Sequence, residues 1–225
     1  MRWFWRLTIG AIMMAGLTAC TATDRLRADA SMQGTTVYVV HGYRAAPDDH
    51  WFEWLADKIR AAGGDARVLA LPQSDDPHPD RWQETLRREI PQLDGRTYIV
   101  AHSLGTLATL RFLNERDDAD IAGLVLVSPF AEPLPAIPEL DDFIARNRFD
   151  PTRIARIAPA STVILSTSDP LVPPDLSRAL ARSIGASVVE IADAGHFLAS
   201  DGYESFPEVW TVLQAQALGA RRPVS

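Results

Sequence analysis

The sequence predicts an α/β fold: an open sheet of about six mostly parallel strands, with helices on both faces and a minimal lid, in one domain over residues 35–220. Two patterns predict it. Short apolar runs rich in β-branched residues recur at Thr36–Val40, Arg67–Leu71, Thr97–Val100, Gly123–Val127, Thr162–Leu165 and Ser187–Ile191, as strands buried on both faces of a parallel sheet do. Between them, apolar residues repeat at three- and four-residue steps, the period of a helix lying on a core. Strand and helix alternating in this way, joined by right-handed crossovers, give a sheet whose chemistry collects in the loops at the carboxyl ends of its strands.

The helical segments follow in order. After the start signal Pro47-Asp48-Asp49 come Trp51, Trp54, Leu55, Ile59 and Ala62; after Asp80 come Trp82, Leu86, Ile90 and Leu93. An apolar helix follows the third strand, and Leu176, Ala179, Leu180 and Ile184 follow Pro173-Pro174. The last helix starts between residues 205 and 207 and is expected to bury Phe206, Val209, Trp210 and Leu213. The stretch Pro129–Pro159 holds six prolines and a single short helical candidate, Glu139–Arg146, so it reads as a connection or small lid. At 225 residues, 47% hydrophobic and 23% charged, the chain can bury one core.

The amino terminus reads differently. Arg2 and Arg6 precede a short apolar run, Leu7–Gly16, too short to span a bilayer, which takes about 20 apolar residues. Residues 1–19 are therefore expected to be a secretion signal peptide. Leu17-Thr18-Ala19-Cys20 resembles the bacterial lipobox, which implies thioether lipidation of Cys20, cleavage before it and acylation of the new amino terminus. Residues 20–34 become a lipidated tether, polar and alanine-rich, and Thr21 after the cysteine implies an outer-membrane location facing the periplasm. Cys20 is the single cysteine, so no internal disulfide and no multi-cysteine metal site can form. The net charge of −7, made more negative once Arg2 and Arg6 leave with the signal, argues against nucleic acid as a partner.

Chemistry concentrates around Ala101-His102-Ser103-Leu104-Gly105. A buried strand meets an apolar helix there through a very short turn, the arrangement of a nucleophile elbow, with small residues two before and two after the serine. A serine hydroxyl attacks only when a base takes its proton, so this reading demands a histidine and an orienting acid. His196, in Asp193-Ala194-Gly195-His196-Phe197, follows the last expected strand, and Asp169, in Ser168-Asp169-Pro170, follows the strand before it. The order Ser103, Asp169, His196 is that of the α/β-hydrolase fold. Asp193 competes with Asp169 as the acid, although its place beside His196 suits loop structure better. An oxyanion hole is expected from the backbone N–H of Leu104 and of Tyr43, the latter in His41-Gly42-Tyr43 after the first strand.

The remaining histidines are read as structural or solvated. His41 and His102 lie in tight turns, His50 at a helix start, and His78 in the proline-rich loop Asp75-Asp76-Pro77-His78-Pro79-Asp80. No i, i+4 histidine pair suggests a metal, and no glycine-rich phosphate loop suggests a nucleotide, so neither metal nor cofactor is expected.

The run His41-Gly42-Tyr43-Arg44-Ala45-Ala46-Pro47-Asp48-Asp49-His50-Trp51-Phe52-Glu53-Trp54-Leu55, with Leu71-Pro72, the Ser103 pentapeptide and the Asp169 and His196 loops, resembles the small serine hydrolases related to retinoblastoma-binding protein 9 and bacterial YdeN. The likeness covers roughly residues 36–215. It implies a compact, nearly lidless α/β hydrolase without cofactor, with its catalytic groups on the three positions above. The expected activity is hydrolysis of a small-molecule ester or related acyl bond, with Pro129–Pro159 and the Arg44–Trp54 region lining the acyl pocket. The rival reading is a non-catalytic envelope lipoprotein that uses the same scaffold to bind a partner.

Overall fold

The computed structural model describes residues 32–220; the expected signal peptide, Cys20 and most of the tether lie outside them. The six strands are β1 (Thr36–Val40), β2 (Asp65–Leu69), β3 (Thr97–His102), β4 (Gly123–Val127), β5 (Ser161–Ser166) and β6 (Ser187–Ile191). They pair in the order β2-β1-β3-β4-β5-β6, every neighbour parallel. The helices are α1 (Phe52–Ala61), α2 (Pro79–Glu89), α3 (Leu104–Asn114), α4 (Asp141–Arg146), α5 (Pro151–Ile157), α6 (Pro174–Ile184) and α7 (Pro207–Ala220). Short 3-10 turns occur at Pro138–Leu140 and Ala199–Asp201. No helix among the described residues is long and apolar enough to cross a membrane.

Alternation along the strands divides the core in two. Val37, Val39, Val100, Val125 and Ile164 face α1 and α7, meeting Phe52, Leu55, Ile59, Val209 and Leu213. Tyr38, Val40, Ile99, Leu126 and Val163 face the other way, onto Trp82 and Leu86 of α2, Leu107 of α3, Ile154 of α5 and Leu180 of α6. β1, β3, β4 and β5 are thus covered on both sides, as their near-continuous apolar composition requires.

The structure corrects the expected elements in five places. β2 lies two residues earlier than Arg67–Leu71, because Leu71 has left the sheet and gives its N–H to His41 Nε2 at 3.0 Å. The second helix stops at Glu89 rather than running to Leu93, since Pro91 forbids its continuation. α5 was not anticipated: it is a short helix that opens with Pro151 and is capped by Asp150, whose carboxylate accepts the Thr152 N–H at 2.9 Å. β6 is a half-exposed edge strand, with Val188 42% exposed, rather than a strand buried on both faces. In α7, Trp210 stays partly exposed while Ala217 is buried.

The topology places the site. The chain moves outward from β1 to β2, then crosses back over β1 to β3, so the loops leaving β1 and β3 separate at a switch point, where such sheets open a crevice. Gly105, in the first turn of α3, fits under the end of β1: a Cβ there would collide with His41 O and lie 2.9 Å from Val40 O. The obstacle is sheet backbone, which cannot yield as a side chain can. Gly105→Ala is accordingly expected to destabilise the protein by about 2 kcal/mol or more, the scale of overpacking against fixed neighbours; urea unfolding of the purified domain measures it, and parental stability would show that the β1 loop moves aside freely.

Candidate active site

Ser103 joins β3 to α3 with φ 52° and ψ −126°, a region that bulky residues enter only when their surroundings impose it. The imposition is visible. The Ser103 N–H donates to Val127 O of the neighbouring strand end at 2.9 Å, and its carbonyl accepts both the N–H and the hydroxyl of Thr106, at 2.9 and 2.6 Å. On the other side, Gly42 lies so close over the turn that a Cβ there would sit 2.9 Å from Ser103 Cβ and 3.3 Å from Leu104 N. The Gly42–Tyr43 segment is thereby brought against the start of α3, whose first N–H groups have no partner within the helix.

Ser103, His196 and Asp169 come together although they are far apart in the chain. The Ser103 hydroxyl is 2.9 Å from His196 Nε2, and His196 Nδ1 is 2.7 Å from Asp169 Oδ2. With the hydroxyl donating to Nε2, the ring proton belongs on Nδ1 and is given to the carboxylate. The other candidate acid, Asp193, occupies a left-handed turn (φ 53°) and its backbone N–H reaches Thr167 Oγ1 at 3.4 Å; Asp169 is the carboxylate that the ring faces.

Asp169 is almost fully buried, and each of its oxygens is satisfied. Oδ1 accepts the N–H groups of Leu171 and Val172, both at 2.9 Å, and Oδ2 accepts the Ser128 hydroxyl at 2.8 Å beside the imidazole. Burial alone would raise this carboxyl, but its bond to His196, the imidazole's charge and the two backbone donors outweigh burial and hold it below the ordinary aspartate range. His196 is held through its backbone as well. Asp201 Oδ2 accepts the N–H of His196 at 2.8 Å and of Leu198 at 3.1 Å. Gly195, at φ 55°, gives that carboxylate its room, since a Cβ would lie 2.5 Å from Asp201 Cγ.

Ser128 and Asp201 escaped the sequence reading. Asp201 lies five residues from His196 and was open to discovery as a local cap. Ser128 pairs with a residue 41 positions away, and no pattern in the chain announces that.

His41 and His102 bind backbone. His41 Nε2 accepts from Leu71 while its Nδ1–H donates to Gly42 O at 2.9 Å; His102 Nε2 donates to the carbonyl of His196 at 2.9 Å. Burial first, with neighbouring histidines adding to it, lowers both below the usual histidine value, His102 strongly. His78 lies in a separate polar cleft with Asp75 and Asp76, and among the described residues no group of three or more His, Cys, Asp or Glu could hold a metal ion.

Above Ser103 opens a cleft of about 370 Å³, walled by Tyr43, Ala45, His50, Ile137, Leu171 and Leu198. Tyr43 spans from the β1 loop to the lid connection, its hydroxyl donating to Glu139 Oε1 at 3.3 Å, and the Arg44 guanidinium lies 4.9 Å from its ring centre. Each region expected to line the pocket contributes in part, Arg44, Ala45 and His50 from one and Ala136, Ile137 and Glu139 from the other, whereas Trp51 and Phe52 are fully buried in the core, where Trp51 donates Nε1–H to Phe197 O at 3.2 Å.

With the geometry in place, comparison with known proteins gives a consistent result. The family model described as serine hydrolase matches residues 37–215. YdeN of Bacillus subtilis (strain 168), named as a candidate hydrolase, is 40% identical over 178 residues, 79% of this chain and 93% of that protein. The crystal structure of the B. subtilis ydeN product superposes with a TM-score of 0.78 at 39% identity, covering 81% of this chain and 98% of the other. A monoacylglycerol lipase from Paleococcus ferrophilus shares the fold, with a TM-score of 0.60 at 16% identity over 84% of this chain and 97% of that one. The six-stranded parallel sheet with its helices is the α/β-hydrolase architecture of these neighbours.

The Ser128 bond to Asp169 has a measurable pH signature. A carboxyl held low in the native state contributes stability in full above its unfolded value of about 3.9 and loses it as the pH falls through the lowered native value. Ser128→Ala is expected to cost about 1–3 kcal/mol at pH 7, the range for a buried hydrogen bond to a charged group, and less at pH 3. Urea unfolding at the two pH values checks this; an equal loss at both would mean that the hydroxyl does not stabilise the ionised form.

Proposed function

The chain belongs to the serine hydrolase family, and we propose that it hydrolyses a carboxylic ester or related acyl bond of a small molecule through an acyl-Ser103 intermediate. The observation that carries this reading is the pair of hydrogen bonds in series, 2.9 Å from Ser103 Oγ to His196 and 2.7 Å from His196 to Asp169, on the floor of an open cleft. A partner-binding scaffold has no use for that alignment.

In this mechanism Ser103 Oγ attacks the carbonyl carbon as His196 Nε2 takes its proton. The carbonyl oxygen gains the negative charge and is received by the backbone N–H groups of Leu104 and Tyr43. As the tetrahedral intermediate collapses, His196 returns the proton to the departing alcohol, leaving an ester on Ser103. Water then attacks the acyl carbon, giving a proton to His196, which passes it to Ser103 Oγ as that oxygen is expelled and the acid is freed. Asp169 keeps the Nδ1–H tautomer in place and stabilises the imidazolium of each step. No cofactor is required.

The enzyme is further proposed to work in the bacterial cell envelope, held by lipid on Cys20 at the outer membrane and facing the periplasm. Arg2, Arg6, the apolar run Leu7–Gly16 and the lipobox-like Leu17–Cys20 support this, because several acyl chains together give an anchor that one alone does not.

A fluorophosphonate probe is expected to label the purified domain and not its Ser103→Ala variant; a folded parent that fails to label would favour the partner-binding alternative. On a p-nitrophenyl ester, Asp169→Asn is expected to lose about 10³–10⁴-fold in kcat/KM, whereas Asp193→Asn stays within about threefold; equal losses would remove Asp169 from its role. Cys20→Ser is expected to move the protein from the membrane to the soluble fraction of expressing cells, and an unchanged distribution would refute the anchor.

A further inference from the structure

His50 belongs to the long His41–Leu55 segment and has no part in the mechanism above. Its backbone is left-handed (φ 57°), uncommon for a residue with a side chain, and the loop is pinned on either side. The carboxylate of Asp49 accepts the Ala46 N–H at 2.7 Å, and the next residue is the buried Trp51. The ring is packed edge-on against Phe52 at 5.4 Å and against His102 at 6.2 Å between centres. Its Nδ1 accepts the N–H of Ala199 at 3.0 Å, which in a neutral imidazole leaves the proton on Nε2. Burial first, with His196 adding to it against Asp49 and Asp201, favours that neutral ring. Nε2 has no protein partner among the described residues, and His50 lines the same cleft as Ser103 and His196.

Ala199 lies on the loop that carries His196, so His50 stands on the wall from which the proton is returned. The departing alcohol must reach that wall to be protonated. We propose that His50 is a substrate-contacting residue whose Nε2–H hydrogen-bonds an oxygen on the leaving group, so that the enzyme favours esters whose alcohol carries a second oxygen. This rests on the acyl-Ser103 reading and narrows its substrate class.

The test compares two near-isosteric esters, 2-methoxyethyl butanoate and butyl butanoate, in the parent, His50→Phe and His50→Gln. The ratio of their kcat/KM values is expected to favour the methoxy ester by about three- to tenfold in the parent, the size of one neutral hydrogen bond. It should fall to near one in His50→Phe and lie between in His50→Gln, which keeps a donor. A ratio unchanged in a folded His50→Phe, even with both rates lowered together, reduces His50 to a structural role and overturns the proposal, as does a parent ratio of one. A second measurement is independent of turnover: ¹⁵N chemical shifts are expected to show the His50 proton on Nε2, and a proton on Nδ1 also overturns it. Absence of Ser103-dependent turnover of either ester would refute the acyl-enzyme reading itself, and this proposal with it.

Discussion

The backbone at Ser103 is held in a conformation that it would not adopt alone. Such a conformation costs about 1–3 kcal/mol, and it persists because its neighbours leave no alternative: Val127 O holds the serine N–H, Thr106 grips its carbonyl, Gly42 lies over the turn, and Gly105 fits under the end of β1. The switch in strand order between β1 and β3 brings two loops to one point, and the small residues let their backbones touch. Everything else about the site follows from an outward-pointing hydroxyl on a support braced from three sides.

The surroundings of the imidazole are arranged by the same economy. Asp169 takes four donors on two oxygens and so stays ionised despite its burial. His41 spends both ring nitrogens, and His102 its Nε2, on backbone groups at the ends of β1, β2 and the His196 loop, and burial keeps both uncharged, which spares the site two further positive charges beside His196. Left-handed backbone recurs at Arg44, His50, Ser103, Ser128, Asp193 and Phe197, all in loops at the carboxyl ends of strands. Strain thus gathers where side chains must be aimed rather than merely packed.

Much of this was legible in the chain. β1, β4 and β6 have the bounds that their apolar runs imply, because turn residues bracket them on both sides. β2 slipped because Val68, Leu69 and Leu71 look alike as a run, and only a histidine from another loop tells Leu71 to leave the sheet. The exposure of β6 was hidden, since an apolar run says that a strand exists and not whether it has a neighbour on each side. At the site, order and spacing pointed to Ser103, Asp169 and His196, which the fold then brings within hydrogen-bonding distance. The bond of Ser128 to Asp169 and that of the Ala199 N–H to His50 Nδ1 were out of reach, being pairings across 41 and 149 positions that exist only once the sheet has formed.

The carboxylate of Asp201 clasps the main chain on either side of Phe197, through the amides of residues 196 and 198, while Gly195 leaves room for it. Glycine, histidine, leucine amide and aspartate therefore make a short bracket, seven residues long, that fixes the main chain from which the imidazole projects. For protein engineering the bracket and its outside supports, His102 on the carbonyl of residue 196 and Trp51 on that of residue 197, belong together, and a histidine moved without them would arrive without aim.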